Sequence, residues 1–265
     1  MRKMYILFIG DIFGRAGRKA VLDALPVIRD QYPIDIVIAN GENVAGGNGV
    51  TRNLCTKLFR YGVDVITTGN HVWDREEAIE YLDEEPRVLR PINFPPGTPG
   101  NGSIVYKTES GIPVGIVNGQ GRVFMKPIDD PFRTIMQKVE KIRNETSVIL
   151  VDFHAEATSE KIAMAYYLDG KVSAVLGTHT HVQTADNRVL SGGTAALTDA
   201  GMTGPHDSVI GIQSHLAVRF LLTSRYVRFE PARENIRFQG AIIEVDEKTG
   251  KAVYIERVNL EIESE

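Results

Sequence analysis

Cysteine is nearly absent from this chain. A single residue, Cys55, among 265 rules out a disulfide within the chain and fits a reducing compartment. A basic block is missing too: 30 lysines and arginines against 34 aspartates and glutamates give a formal net charge of −4. That balance argues against a protein whose main work is gripping long nucleic acid by charge, and RNA stays a partner without a basic patch to support it. No stretch has the uninterrupted apolar length of a membrane span. The start, residues 1–11, combines a charged beginning with a short apolar run. That run meets Gly10-Asp11 where a signal peptide would carry a small-residue cleavage site, so it reads as a first strand. A soluble cytoplasmic protein is expected. Repeats, low-complexity tracts and linkers are also lacking, so residues 1–265 are expected to form one domain, ample for a sizeable core.

What is present is an alternation of apolar runs and amphipathic stretches. Strands are predicted over 5–9, 34–39, 63–68, 103–108, 112–118, 147–153, 173–176 and 195–198, with a final pair over 236–245 and 252–260. Helices are predicted over 18–31, from the N-cap Thr51 to the C-cap Gly62, and over 75–82, 132–143, 159–168 and 213–223. Pro26 predicts a kink or break in the first helix. The passage 83–99 carries Pro86, Pro91, Pro95, Pro96 and Pro99 and is expected to be irregular. Such alternation predicts an α/β fold with a largely parallel sheet, to which the antiparallel tail pair adds a mixed character. Gly14-Arg15-Ala16-Gly17 matches neither the dinucleotide fingerprint nor a P-loop, since no Gly-Lys-Ser/Thr follows; it reads as a strand-to-helix turn. Ala45-Gly46-Gly47-Asn48-Gly49 is a glycine-rich loop that allows close approach of a ligand.

The informative pattern is positional. Asp11, Glu42 with Asn43, Asn70 with His71, His154, and His179 with His181 each fall just past a predicted strand. In open α/β sheets, ligands bind outside the carboxyl ends of the strands. Taken singly, each residue has a plain reading as a turn residue, a loop charge or a satisfied buried histidine. Together they suggest one rim. Extended backbone through Thr180 would send His179 and His181 to the same side. Carboxylate, amide oxygen and imidazole without thiolate favour divalent Mn, Fe, Zn or Ni over a zinc-thiolate site, and Cys55 lies inside a predicted helix. The donors outnumber the needs of one ion and suit two sharing a bridging carboxylate.

At these residues the chain resembles the calcineurin-like metallophosphoesterases. The motifs are Gly10-Asp11, Gly41-Glu42-Asn43, Gly69-Asn70-His71, His154 and Gly177-Thr178-His179-Thr180-His181. Two departures, Phe13 where that superfamily usually has histidine and Gly-Glu-Asn for its usual Gly-Asp, resemble the YmdB-like branch. So do the segments from Asp152 to Lys161 and from Thr198 to Pro205. The resemblance implies a metallophosphoesterase-type α/β sandwich: two mixed β-sheets flanked by helices, with the metal site at the carboxyl ends of the strands. It implies two divalent ions, Mn or Fe first and Zn, Ni or Mg otherwise. Asp11, Asn43 and His181 would hold one, Asn70, His154 and His179 the other, and Glu42 would bridge them.

The activity implied is hydrolysis of a small phosphodiester, foremost a 2′,3′-cyclic nucleotide, by metal-activated hydroxide attacking phosphorus in line. His71 would serve as the catalytic proton donor or phosphate contact, or would only support the ligands. Asp152 and Glu156 could orient His154. His206 could line the pocket, His215 sits on a helix flank, and Arg122 and Lys126 could meet an anionic substrate or face solvent. A cap could come from 83–99, from 200–235 or from both, and a homo-oligomer is expected. The alternatives are a monoesterase, protein phosphatase or RNase on the same site, or a metal-binding regulatory scaffold with little turnover.

Overall fold

The computed structural model describes residues 3–263; Met1 and Arg2, part of the charged start, lie outside the described residues. Strands β1 (Lys3–Ile9), β3 (Ile34–Asn40), β4 (Val65–Thr67) and β5 (Val88–Leu89) run parallel in the first sheet. Beyond β1 the sheet continues through β13 (Ile236–Asp246), antiparallel to β1, to β14 (Ala252–Glu261) and to β12 (Met202–Pro205), with β2 (Asp11–Ile12) at the edge. In the second sheet β7 (Pro113–Gln120), β8 (Ile149–His154), β9 (Ala174–Thr178) and β11 (Ala195–Leu197) are parallel. Antiparallel β6 (Ser103–Lys107) and β10 (Arg188–Val189) close its edges.

Side-chain alternation along these strands builds three apolar layers. On β1, Met4, Ile6 and Phe8 face the second sheet, where they meet Val114, Ile116, Leu150 and Leu176. Leu7 and Ile9 face the other way, onto α1 (Gly14–Gln31), α2 (Arg52–Tyr61) and α3 (Glu77–Glu84). The outer face of the second sheet, with Ile149, Val151 and Phe153, is covered by α4 (Pro131–Ile142) and α5 (Thr158–Tyr167). This is the expected sandwich of two mixed sheets flanked by helices, with α6 (Ser214–Thr223) outside it.

Local chemistry explains most element boundaries. Thr51 accepts the amide of Leu54, and Gly62 closes α2 in the left-handed region at φ 104°. Asp130 caps α4 through the amides of Phe132 and Arg133, with Pro131 at its first position. Two expectations are corrected. α1 begins at Gly14 and continues unbroken past Pro26, because Pro26 and Leu22 lie on its exposed face, where the released carbonyl meets water. The proline-rich passage is not wholly irregular, since Val88 and Leu89 pair in parallel with Ile66 and Thr67. Asp11 falls just past β1 as expected and opens the two-residue strand β2, paired with β12, which the sequence pattern did not show.

The same alternation aims polar residues between the sheets at one end. On β8, Asp152 and His154 share the parity of inward Leu150, and on β3 Asn40 shares that of Ile36 and Ile38. Burying an apolar side chain contributes about 1.5–3 kcal/mol, and an unpaired buried polar group costs about as much. These polar groups therefore have to be paired.

Candidate metal centre

The pairing starts at Asp152, fully buried between the sheets. Its carboxylate accepts the Thr178 hydroxyl at 2.7 Å, the Thr67 hydroxyl at 2.5 Å and the Asn40 amide at 3.0 Å. Thr178 has one proton, spent on Asp152, so toward His154 Nδ1 at 2.9 Å it can only accept. His154 is thereby fixed with Nδ1–H toward Thr178 and Nε2 toward the rim. Burial raises the pKa of Asp152 to about 6, against the pull of His154 and these hydrogen bonds.

Around His154 Nε2 the structure gathers Glu42 Oε1 at 3.0 Å, Asn70 Oδ1 at 3.1 Å and His179 Nδ1 at 3.0 Å. One N–H cannot serve three such acceptors, and a surplus of lone pairs on one point suits a cation. His179 Nε2 lies 3.1 Å from Glu156 Oε2, which lets Nδ1 face His154 unprotonated. Ligand atoms of Glu42, His154 and His179 all fall within 4.8 Å of one another. A second group adjoins it: Asn43 Nδ2 lies 3.1 Å from His181 Nε2, 3.5 Å from Asp11 Oδ1 and 3.3 Å from Glu42 Oε1. His181 Nε2 and Asp11 Oδ1 are 3.7 Å apart, and His181 gives its Nδ1 proton to the Ile210 carbonyl at 3.0 Å. Glu42 touches both groups. For Asn43 to ligate a cation its amide must turn so that Oδ1 faces inward, a choice of O and N that hydrogen bonding alone assigns.

The electrostatics follow the same geometry. Burial opposes charge on His154, but the Glu42 carboxylate, with Asp11 and Asp152, outweighs it and raises the imidazole to about 9. Burial, then the neighbouring His154, drives His179 down to about 3. Asp11 and Glu42 are both held below the usual carboxylate range despite burial, by His181 and His154 respectively. These are buried carboxylates kept charged beside imidazoles. A proton and a divalent ion would compete for one place, His154 Nε2.

Residues 7–258 match the family described as YmdB-like protein. The chain belongs to the YmdB-like family. A Bacillus subtilis (strain 168) relative named 2′,3′-cyclic-nucleotide 2′-phosphodiesterase is 46% identical over 255 residues, 96% of this chain and 96% of the relative. A crystal structure of a hypothetical protein from Thermus thermophilus superimposes with a TM-score of 0.91 at 45% identity, covering 97% of this chain and 99% of that one. A Mycoplasma pneumoniae structure described as a novel phosphatase gives a TM-score of 0.92 at 32% identity, covering 98% and 94%.

In this YmdB-like chain the fold brings all seven expected ligand residues into one cluster, by a route that differs from the expected one. β9 stops at Thr178, and both His179 (φ 99°) and His181 (φ 63°) are left-handed. The strand does not persist through Thr180. Such backbone costs about 1–3 kcal/mol per residue and stands only where its surroundings over-determine it. Here the His179 amide donates to Asp11 Oδ2 at 3.1 Å. The Thr180 amide and hydroxyl donate to Asp199 Oδ2 at 3.1 and 2.6 Å, and Lys161 Nζ meets the same oxygen at 2.6 Å, in a buried pair.

His71 is not in the cluster proper. Its amide donates to Glu42 Oε2 at 3.1 Å, while its Nδ1 lies 2.8 Å from Asp74 Oδ2, leaving Nε2 at the rim without a partner among the described residues. Gly69 has to be glycine: a Cβ there would lie 2.3 Å from His154 Nε2 and 2.5 Å from Glu42 Oε2, inside the space where the donors converge. Phe13 packs edge-on against His181 at 5.9 Å, an apolar prop.

Other expectations change. Asp152 orients His154 through Thr178, whereas Glu156 turns to His179 and not to His154. His206 bonds the Met202 carbonyl at 3.0 Å and Arg122 pairs with Asp130 at 3.4 Å, while His215 lies exposed on α6, the helix flank expected for it. Asn40, Thr67, Asp74 and the Lys161–Asp199 pair were missed as contributors. Only Asp74, three residues after His71, left a readable spacing.

Proposed function

We propose that this chain is a two-metal phosphoric diester hydrolase that opens the 2′ ester of 2′,3′-cyclic nucleotides. The observation that supports it most is the convergence of Glu42, Asn70 and His179 on the bare side of His154, flanked by the Asp11–Asn43–His181 group. The Bacillus subtilis relative supplies the substrate class. Asp11, Asn43 and His181 would hold one ion and Asn70, His154 and His179 the other, with Glu42 placed to serve both; Mn or Fe would suit this oxygen-rich, thiolate-free set. Divalent ions held there supply Lewis-acid charge to the phosphoryl oxygens and a nucleophile drawn from water near neutral pH.

The residues themselves do the rest. Asp152, through Thr178, fixes the His154 tautomer, and Asp199 with Lys161 fixes the turn carrying both later histidines. His71, held at Nδ1 by Asp74, presents Nε2 to the ribose O2′ as it leaves phosphorus and passes it a proton, so that a nucleoside 3′-phosphate results. We read residues 1–265 as one domain in which 200–235 caps the site, since Ile210 touches His181, while Asn93 ties 83–99 to β7. The test is hydrolysis of 2′,3′-cyclic AMP, 3′,5′-cyclic AMP, an activated diester and an activated monoester by metal-reconstituted protein. The first should be the best substrate; preference for the monoester would overturn the reading.

A further inference from the structure

Beside the metal centre lies an open cavity of about 1200 Å³ between α1, the glycine-rich loop and residues 228–236. Arg15, Arg18, Lys19, Arg75, Arg228 and Arg233 line it. These cations are scattered over the sequence, and only the fold assembles them. Three carboxylates, Glu77, Glu230 and Glu234, share the lining and leave an excess of positive charge. The guanidinium groups of Arg15, Arg228 and Arg233 are exposed and make no hydrogen bond or ion pair with any described residue. Phe229, on the same wall, is 46% exposed.

Three connections, through the chain or by hydrogen bonds, join this cavity to the catalytic end. Ala45 and Gly46 line it and follow closely after Asn43. Arg75 follows Asp74, the partner of His71, and holds the loop through the Ala45 carbonyl at 2.6 Å. Ala232 donates to the Gly211 carbonyl at 2.8 Å, next to Ile210, which His181 touches. The cavity exceeds the roughly 300–1,000 Å³ usual for one small ligand. A cyclic mononucleotide has a single phosphate and leaves unpaired arginines with nothing to meet.

We propose that this groove binds the upstream backbone of a single-stranded oligoribonucleotide whose 3′ end, a 2′,3′-cyclic phosphate, enters the metal centre. Arg15, Arg228 and Arg233 pair with successive phosphates, and Phe229 offers a face for a base. The substrate class thus becomes RNA fragments ending in the cyclic phosphate, with the mononucleotide as the shortest member. This rests on the phosphodiesterase reading above, and binding and turnover are measured separately so that the two can fail apart.

Binding is read by fluorescence anisotropy of a 5′-labelled penta-adenylate ending in a 3′-phosphate, with adenosine 3′-monophosphate as competitor. Turnover is read as the ratio of kcat/KM for penta-adenylate 2′,3′-cyclic phosphate to that for 2′,3′-cyclic AMP. The pentamer should bind at least tenfold more tightly than the mononucleotide, with log Kd rising against log salt at a slope of about 2, from about 0.7 per neutralised phosphate. The exposed-site variant Arg15→Ala/Arg228→Ala/Arg233→Ala should flatten that slope and bring the turnover ratio close to one. Equal binding of pentamer and mononucleotide, or an undiminished preference in the triple variant, would overturn the groove. Displacement of the pentamer by polyglutamate at equal charge would also overturn it, marking a surface for acidic protein. Tight pentamer binding without hydrolysis of either cyclic phosphate would keep the groove and sink the activity reading.

Discussion

His154 Nε2 and His179 Nδ1 lie 3.0 Å apart, each with its other ring nitrogen already engaged. Two imidazole lone pairs do not approach so closely unless something positive sits between or beside them. With Glu42 at 3.0 Å from the same atom, the pair forms a cradle for charge.

The cradle depends on Thr178. Thr178→Val removes the acceptor for His154 Nδ1 and one donor to Asp152, with nearly unchanged volume. It should weaken metal binding about 10- to 100-fold and cost about 1–3 kcal/mol of stability from the buried groups left unpaired. Isothermal titration with Mn and urea unfolding would read the two effects, and undisturbed metal affinity would contradict the assigned tautomer.

On the proposed reading, His71 serves the chemistry and does not hold metal. His71→Ala should retain its full metal content while turnover on 2′,3′-cyclic AMP falls about 10²- to 10⁴-fold. Asp74→Asn, which keeps a partner for Nδ1 but changes its charge, should lose less. Unchanged turnover in His71→Ala would remove the proton-donor role.

The Lys161–Asp199 pair is a different kind of dependence. Breaking a buried ion pair from one side leaves an uncompensated charge, at a cost of about 3–5 kcal/mol. Lys161→Met should show that loss in denaturant unfolding and also a weaker metal site, because Asp199 holds Thr180 between the two left-handed histidines. A variant as stable as the parent would show that the pair is not what holds that turn.

Cys55 offers a check on the packing alone. It is fully buried, and burial raises its thiol to about 12. Iodoacetamide at pH 8 should leave the native protein unlabelled and modify one thiol per chain once it is unfolded in urea; rapid native labelling would mean that α2 packs less tightly than described.

Much of this was legible in the sequence, and the reasons differ by residue. Strands such as Ile34–Asn40 and the capped helix from Thr51 to Gly62 announce themselves through apolar runs and cap chemistry. The clustered donor residues were readable because parallel strands share one carboxyl end, so that residues just past each run must meet. What was not readable is long-range pairing. β2 and β12 are too short to leave a pattern and exist because each completes the other. The left-handed turn at His179 and His181 is imposed by Asp11 and Asp199, distant in sequence from one side or the other. Asn40, Thr67 and Thr178 look like ordinary strand residues until Asp152 gathers them. The groove cations escaped for a related reason: a net charge of −4 says nothing about where the positive charges collect.

The proposed reading stands or falls on a two-ion site with Glu42 common to both halves. Elemental analysis of protein reconstituted with Mn and desalted tests it directly. Two ions per chain are expected, one in either His181→Ala or His179→Ala, and fewer still in Glu42→Ala. A parent chain that retains only one ion, or a His181→Ala variant that keeps two, would contradict it.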